Sequence, residues 1–170
     1  MMRVVLRNAF RLIALVLFQI ILNLIHFSSL ELSPYFYLIF ILLLPFETPQ
    51  WLVLLSSFFL GLLVDWHADS FGQHAFASVF VAGIRPMVLT SLSDRDSYEK
   101  GTYPRLEYFG LIWALKYALL MTFAHQFIFY WIEAFSLKQM GWVLAKAVVN
   151  TLITTFLIIV SQYWVFKKVV

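Results

Sequence analysis

The chain has 170 residues, a formal net charge of +3 and no cysteine. It is 62% hydrophobic and 12% charged, against roughly 45–50% and 25% in an average soluble domain. So few charges could not cover a water-exposed surface, and we therefore expect the apolar stretches to face lipid. The missing cysteines exclude disulfides and thiolate chemistry, and the scattered basic residues predict no nucleic-acid partner.

The first predicted segment covers residues 10–27 and comes with the basic residues Arg3, Arg7 and Arg11. A basic start before an apolar run is also typical of a signal peptide. This run is long, however, and no small-residue cleavage site follows it. Most of the remaining chain is equally apolar. We therefore interpret the run as a retained first membrane helix.

Two shorter apolar runs follow at residues 35–44 and 51–64, with Pro34, Pro45 and Pro49 at their boundaries. As helices they would be roughly 15 and 21 Å long, against a hydrocarbon core near 30 Å. They are interpreted either as two short helices in a thinned bilayer or as a re-entrant hairpin buried in protein. Both interpretations return the chain to the same side of the membrane.

Three longer segments are predicted at residues 71–92, 108–132 and 142–166. The sequence thus predicts one all-α transmembrane domain over residues 1–170, with about six segments and a short second one. The positive-inside rule places both termini in the cytoplasm. With that orientation the outer loops hold only one basic residue, Lys138. The cytoplasmic ends and loops hold Arg3, Arg7, Arg11, Arg95, Lys100, Arg105, Lys167 and Lys168.

Polar residues recur at helical spacing along the first, fourth and sixth segments. The three stripes consist of Gln19, Asn23 and His26; His74, Ser78 and Arg85; and Lys146, Asn150, Thr154 and Ser161. In a bilayer such residues turn toward the interior of the bundle. One interpretation is that they hold neighbouring helices together, which is the usual contact chemistry in membranes. The other is that they line a polar cavity that binds a solute.

Asp65 is predicted at the outer boundary of the membrane, where an isolated carboxylate is costly. Lys146 is predicted at the same depth, whereas Arg85 is predicted near the inner face. We therefore expect Asp65 to have a partner, with Lys146 as the first candidate. Lys146 and Asn150 are the predicted polar partners inside the membrane.

The turn that follows Asp65 contains further potential metal ligands, His67, Asp69 and His74. The same residues suit an ordinary polar turn in which Asp69 or Ser70 caps the next helix. We predict neither a metal site nor a cofactor. Because the usual hydrolase, zinc-protease and phosphate-loop motifs are missing from the sequence, we also predict no catalytic residues and no enzymatic activity.

A distinctive string covers residues 61–86: a Gly-Leu-rich helix end, an aspartate, a short loop with glycine, and a helix of small residues. It is carried by Gly61, Leu62, Asp65, Gly72, His74, Ala75, Arg85 and Pro86. In this position of a six-segment chain of this length, the string resembles the rod shape-determining protein MreD family. The basic start, the short second segment and the overall length agree with that family.

The resemblance implies a component of the bacterial cell-elongation complex in the cytoplasmic membrane. Family members associate with the single-span protein MreC and link MreB to the peptidoglycan polymerase and transpeptidase. The resemblance also implies a fold similar to the substrate-binding subunits of energy-coupling-factor transporters. The family has no established active site from which a catalytic residue could be transferred.

Two functional hypotheses therefore stay open. The first is a membrane scaffold that binds other helices, with the small residues Gly61, Gly72 and Ala75 as the predicted contact face. The second is a solute-binding transporter subunit with a polar pocket between segments one, four and six. A scaffold should have its polar stripes satisfied internally, whereas a solute-binding subunit should leave a wet pocket.

Overall fold

The structure is a computed structural model that describes residues 2–24, 32–92, 98 and 102–166. Within these ranges every regular element is helical. The helices are α1 (Met2–Leu24), α2 (Ile39–Leu42), α3 (Gln50–Ala68), α4 (Gln73–Leu92), α5 (Leu106–Ala134) and α6 (Met140–Phe166). Short 3-10 turns at Phe36–Leu38 and Leu137–Gln139 precede α2 and α6.

Among the residues that the structure describes, four helices, α3 to α6, are long and apolar enough to cross a membrane. Even α3, with 19 residues, is about 28 Å long at the usual rise per residue. The prediction of a short third segment is therefore wrong. The helix begins directly after Pro49 and continues through the polar residues 65–67, which the sequence suggested were already part of a loop.

Residues 35–44, here called the short segment, do not form a helix of membrane length. They contain the 3-10 turn and the single α-helical turn of α2, and residues 37–44 are all buried. Helix α1 packs on the outside of this segment and against α3. Irregular backbone at membrane depth is tolerated where protein encloses it, and the surrounding helices supply that enclosure.

The short segment runs lengthwise through the interior of the bundle. At its start, the Tyr37 hydroxyl lies 3.0 Å from Nδ1 of His74 on α4. At its end, the carbonyl of Leu44 accepts a hydrogen bond from Arg85, three turns further along α4. Three turns of helix correspond to about 16 Å. The short segment therefore connects two levels of the bundle without a regular helix.

Charged residues are unevenly distributed between the two ends of the bundle. Arg11, Arg85 and Arg105 lie at the end where α4 and α6 finish, which we call the basic end. Asp69 and Glu133 lie at the opposite end. We call it the cleft end because a cleft, described below, opens there. The distribution is not exclusive, because Glu107 lies in the first turn of α5 at the basic end and Lys146 lines the cleft at the other end. The predicted orientation in the membrane stays a prediction. His26, Arg95, Lys100, Lys167 and Lys168 lie outside the described residues, as do the side chains of Arg3 and Arg7.

The small residues of the predicted contact face lie inside the hairpin of α3 and α4. Gly61 is buried, and a Cβ added there would lie 2.6 Å from the backbone nitrogen of Ala75 and the carbonyl oxygen of His74. Gly72 has φ of +88° in the turn between the helices, a conformation that favours glycine. The prediction that these residues receive a partner helix is therefore wrong for Gly61 and Ala75, because α3 and α4 use them to pack on each other.

Candidate functional site

Asp65 caps the beginning of α4 from the last turn of α3. Its carboxylate accepts hydrogen bonds from the backbone N–H of His74 at 3.0 Å and of Ala75 at 2.8 Å. It also accepts a hydrogen bond from the Ser70 hydroxyl at 2.5 Å. The first N–H groups of a helix have no partner within the helix, and negative charge is stabilising there. Asp65 therefore fixes the angle between α3 and α4.

These contacts correct two predictions. The carboxylate of Asp65 bonds to the turn and to α4, so Lys146 is not the partner that holds it. The cap of α4 also comes from Asp65 rather than from Asp69 or Ser70. Asp69 instead adopts a left-handed conformation, with φ of 52°, immediately after the end of α3.

Lys146 lies on α6 at the cleft end. Its Nζ is 4.1 Å from the ring centroid of Trp142, one turn closer to the start of α6, and 5.8 Å from that of Tyr130. Such cation–π contacts stabilise an ammonium group at the edge of an apolar environment. The side chain therefore points toward the nearer end of its helix.

Polar residues of α6 bind the backbone that leads into the short segment. Asn150 Oδ1 accepts a hydrogen bond from the N–H of Ser33 at 2.7 Å. Thr154 Oγ1 accepts from the N–H of Tyr35 at 3.2 Å and lies 3.3 Å from Gln126 Nε2. These N–H groups belong to non-helical residues, so side chains have to supply the acceptors that a helix would otherwise provide.

Gln19 has the same role on α1. Its Oε1 accepts a hydrogen bond from the N–H of Tyr37 at 3.3 Å, and its Nε2 donates to the carbonyl of Pro34 at 3.1 Å. The same Nε2 lies 2.9 Å from Oδ1 of Asn23. These polar residues of α1 and α6 therefore act as internal contacts, but mainly to the backbone of the chain between them rather than to each other's helices.

Arg85 and Tyr117 hold the other end of the short segment. Arg85 is 3% exposed, donates to the Leu44 carbonyl and lies 3.2 Å through Nε from the Tyr117 hydroxyl. That hydroxyl donates to the Leu42 carbonyl at 3.3 Å. The last carbonyls of a helix lack partners within the helix and favour a nearby cation. Tyr117 thus binds the last carbonyl of α2, and Arg85 binds the backbone two residues further on. The exposed Pro86 follows Arg85 on α4.

A buried hydroxyl joins two histidines near the cleft end. The Tyr37 hydroxyl lies 3.0 Å from His74 Nδ1 and 2.7 Å from His125 Nε2. One hydroxyl carries one proton, so at most one histidine can accept from it and at least one must donate to it. His125 Nδ1 is buried with no partner. A proton on that nitrogen would be a buried unpaired donor, which is costly.

We therefore assign the direction of this chain of hydrogen bonds. His125 donates from Nε2 to the Tyr37 oxygen, and Tyr37 donates to Nδ1 of His74. His74 then carries its own proton on Nε2. The ring of His74 lines a cleft, so this N–H is a hydrogen-bond donor available on that side.

The cleft opens at the cleft end and has a volume of about 980 Å³. It lies between the end of α1, the turn between α3 and α4, the end of α5 and the start of α6. Its walls include Tyr35, Asp69, His74, Phe129, Glu133 and Lys146. Acidic, basic and aromatic groups thus share one open space, which could accept a polar molecule with an acceptor atom facing His74. Within the described residues, no group of three or more histidine or acidic side chains is arranged to hold a metal ion.

Sequence reasoning brought His74, Asn23 and Lys146 to the same pocket, and all three line the cleft. It missed Tyr37 and His125. A tyrosine in a fully apolar run is one possible signal, because its hydroxyl needs a partner when it is buried in a membrane protein. Comparisons of the chain with protein-family models, with curated proteins and with solved structures found no match.

Proposed function

We propose that the protein is a non-enzymatic, multi-pass component of the bacterial cell-elongation complex. In this proposal it lies in the cytoplasmic membrane and scaffolds an MreC-like single-span protein, MreB and the peptidoglycan polymerase and transpeptidase. The resemblance in residues 61–86 and the four candidate spans support it. The observation that carries it is the use of the motif residues, because Gly61, Asp65, Ala75 and Arg85 all make internal structural contacts. A motif whose residues hold the helices in one arrangement suits a protein that acts by binding its partners.

The proposal includes six membrane crossings with both termini in the cytoplasm, in a fold similar to that of energy-coupling-factor substrate-binding subunits. The course of the short segment between the two ends supports a second crossing. The basic end supports the orientation, since cytoplasmic ends are enriched in Lys and Arg. Reporter fusions at Val170 and in the turn after Asp69 should be active on opposite sides of the membrane. Activity of the Val170 fusion on the outer side would contradict the topology.

The contact face for a partner helix has to lie on the outer surface of the bundle. On α4, Gly83 is exposed and a Cβ added there would meet no atom within 4 Å. Phe80 and Met87 stand one turn to either side of it and are exposed. A small residue between two large ones forms a notch that lets another helix approach closely. We propose this face of α4 as the place where the single-span partner packs.

Gly83→Leu tests the face without disturbing the fold. The side chain would extend into open space, and leucine is a better helix former than glycine. We expect the variant to insert and unfold like the wild type but to lose co-purification with the single-span partner from native membranes. Rod-shaped cells in which this variant replaces the wild-type protein should become round. Gly141→Leu is the matched control, because Gly141 is also exposed and a Cβ added there would also meet no atom within 4 Å.

Two results would overturn different parts of the proposal. If Gly83→Leu retains the partner and the rod shape, the face is wrong. If rod-shaped cells without the protein keep their shape and no single-span partner co-purifies with the wild type, the function is wrong.

The cleft favours a second candidate function, a solute-binding membrane subunit of a transporter. Its volume of about 980 Å³ is in the range of small-molecule sites. Thermal unfolding of the purified protein across a panel of small metabolites would test this function. A large stabilisation by one compound, together with normal cell shape in its absence, would favour the transporter over the scaffold.

A further inference from the structure

We propose that a groove between α1 and α6 binds an anionic phospholipid, with an acyl chain in the groove and the phosphate at Arg11. The groove lies near the basic end and exists because the second segment is short. Helix α1 packs mainly on α3 and on the short segment, and α1 and α6 therefore leave a gap. Leu43 and Ile39 lie at this gap between the two helices. This inference is independent of the proposed partner and of the cleft.

The size of the groove identifies its occupant. Its volume is about 250 Å³, whereas one turn of an α-helix with side chains fills roughly 400 Å³, given a diameter near 10 Å and a pitch of 5.4 Å. A partner helix is therefore too wide to enter. An apolar cavity of about 150 Å³ accepts a benzene molecule, so a slender hydrocarbon chain is of a suitable size.

The lining agrees with a hydrocarbon occupant. Along α1 the groove is bounded by Phe10, Ala14 and Leu15, and along α6 by Ser161 and Val165. The Ser161 hydroxyl donates to the carbonyl of Ile158, one turn earlier, at 2.7 Å. Its polarity is thus satisfied within α6. The groove consequently presents an almost entirely apolar surface toward the lipid.

The charge at the rim identifies the headgroup. Arg11 borders the groove. A guanidinium group has five donors and matches phosphate geometry, so it can bind a phosphate beside another partner. No acidic residue lines this groove among the described residues. A lipid with net negative charge is therefore favoured over a zwitterionic one.

Native mass spectrometry of the full chain in detergent can test the proposal, with phosphatidylglycerol and phosphatidylcholine as probes. A single juxtamembrane cation corresponds to about a fivefold difference in binding, so phosphatidylglycerol should bind at least about that much more tightly. Arg11→Gln should remove the preference while leaving weak binding of both lipids. Ala14→Leu should fill the groove and weaken binding of both.

Matched controls are available on exposed surfaces away from the groove. Lys116→Gln removes one positive charge from α5, and Ala145→Leu adds the same side chain to α6, each at an exposed position. Both should bind lipid like the wild type. Equal binding of the two lipids by the wild type would overturn the anionic site. Equal effects of Ala14→Leu and Ala145→Leu would overturn the groove, and loss of a protein partner instead of lipid from Ala14→Leu would overturn the occupant.

Discussion

The two ends of the short segment are held mainly by opposite kinds of hydrogen-bonding groups, although Gln19 Nε2 also donates to the Pro34 carbonyl at the cleft end. At the cleft end, Asn150, Thr154 and Gln19 offer side-chain oxygens to backbone N–H groups. At the basic end, Arg85 and Tyr117 offer donors to backbone carbonyls. The direction of the peptide chain explains the difference, because a helical turn begins with free N–H groups and ends with free carbonyls.

The same comparison explains why a charged side chain, that of Arg85, holds the basic end of the short segment. Acceptors for N–H groups can be neutral amides and hydroxyls, whose burial inside a membrane costs less free energy than burial of a charge. At the basic end, a guanidinium group, which is a multiple donor, binds the Leu44 carbonyl and also donates to the Tyr117 hydroxyl, which in turn donates to the Leu42 carbonyl. A buried cation in a membrane is costly unless its donors are occupied. The basic end should therefore be more sensitive to substitution than the cleft end.

Arg85→Met should produce the largest loss of stability. The substitution keeps the apolar stem but leaves the Leu44 carbonyl and the Tyr117 oxygen without the donors that Arg85 supplies. We expect the free energy of unfolding to fall by about 3 kcal/mol, combining a hydrogen bond to a charged group with an unsatisfied buried carbonyl. Unfolding of the purified protein in mixed micelles would measure it. A change below about 1 kcal/mol would show that α2 does not depend on this donor.

Asp65→Ala should have the next largest effect, through loss of the cap of α4. Removal of an N-cap acceptor costs about 1–2 kcal/mol. The pair Asp65→Ala and Lys146→Met sharpens the assignment, because residues without a shared contact give additive effects. We expect the double variant to equal the sum of the single variants within about 0.5 kcal/mol. A larger coupling energy would instead support the ion pair between Asp65 and Lys146 that the sequence predicted.

Tyr37→Phe should have a moderate effect on stability and a distinct effect on the histidines. The variant keeps the ring but removes the hydroxyl between His74 and His125, at a cost of about 1 kcal/mol. Nitrogen NMR of labelled histidine should show the wild-type His74 protonated on Nε2 when neutral. Without the hydroxyl, that preference should weaken. A wild-type His74 protonated on Nδ1 would reverse the assigned direction of the hydrogen bonds.

The sequence predicted the long helices well. Segments four, five and six end within about two residues of α4, α5 and α6, because long apolar runs between polar loops leave little ambiguity. The end of α3 was missed, since the polar residues 65–67 resemble a loop although they remain helical. Helix boundaries depend on caps, and this cap lies across the turn at His74 and Ala75.

The polar contacts were only partly predictable. Side-chain pairing suggested Lys146 for Asp65, but backbone N–H groups bind the carboxylate, and such groups carry no signal in a sequence. Tyr37 was counted as an apolar-run residue, and only the fold places it between His74 and His125. Sequence periodicity shows which face a residue occupies, whereas the irregular short segment has no periodicity from which to infer its contacts.

Thr154→Val should give the smallest of these effects and provides the direct counterpart to Arg85→Met. Valine has the same shape, so the substitution removes only the oxygen that accepts from the N–H of Tyr35 and lies near Gln126 Nε2. Hydrogen bonds between side chains in membrane proteins average about 0.6 kcal/mol, because alternative partners are found. We expect a loss of about that size, measured by the same unfolding assay, with Ile153→Val on the neighbouring position as the control for a conservative change in α6. If Thr154→Val costs as much as Arg85→Met, the two ends of the short segment are equally dependent on their side-chain partners, and the proposed advantage of a charged donor at the end of α2 does not hold.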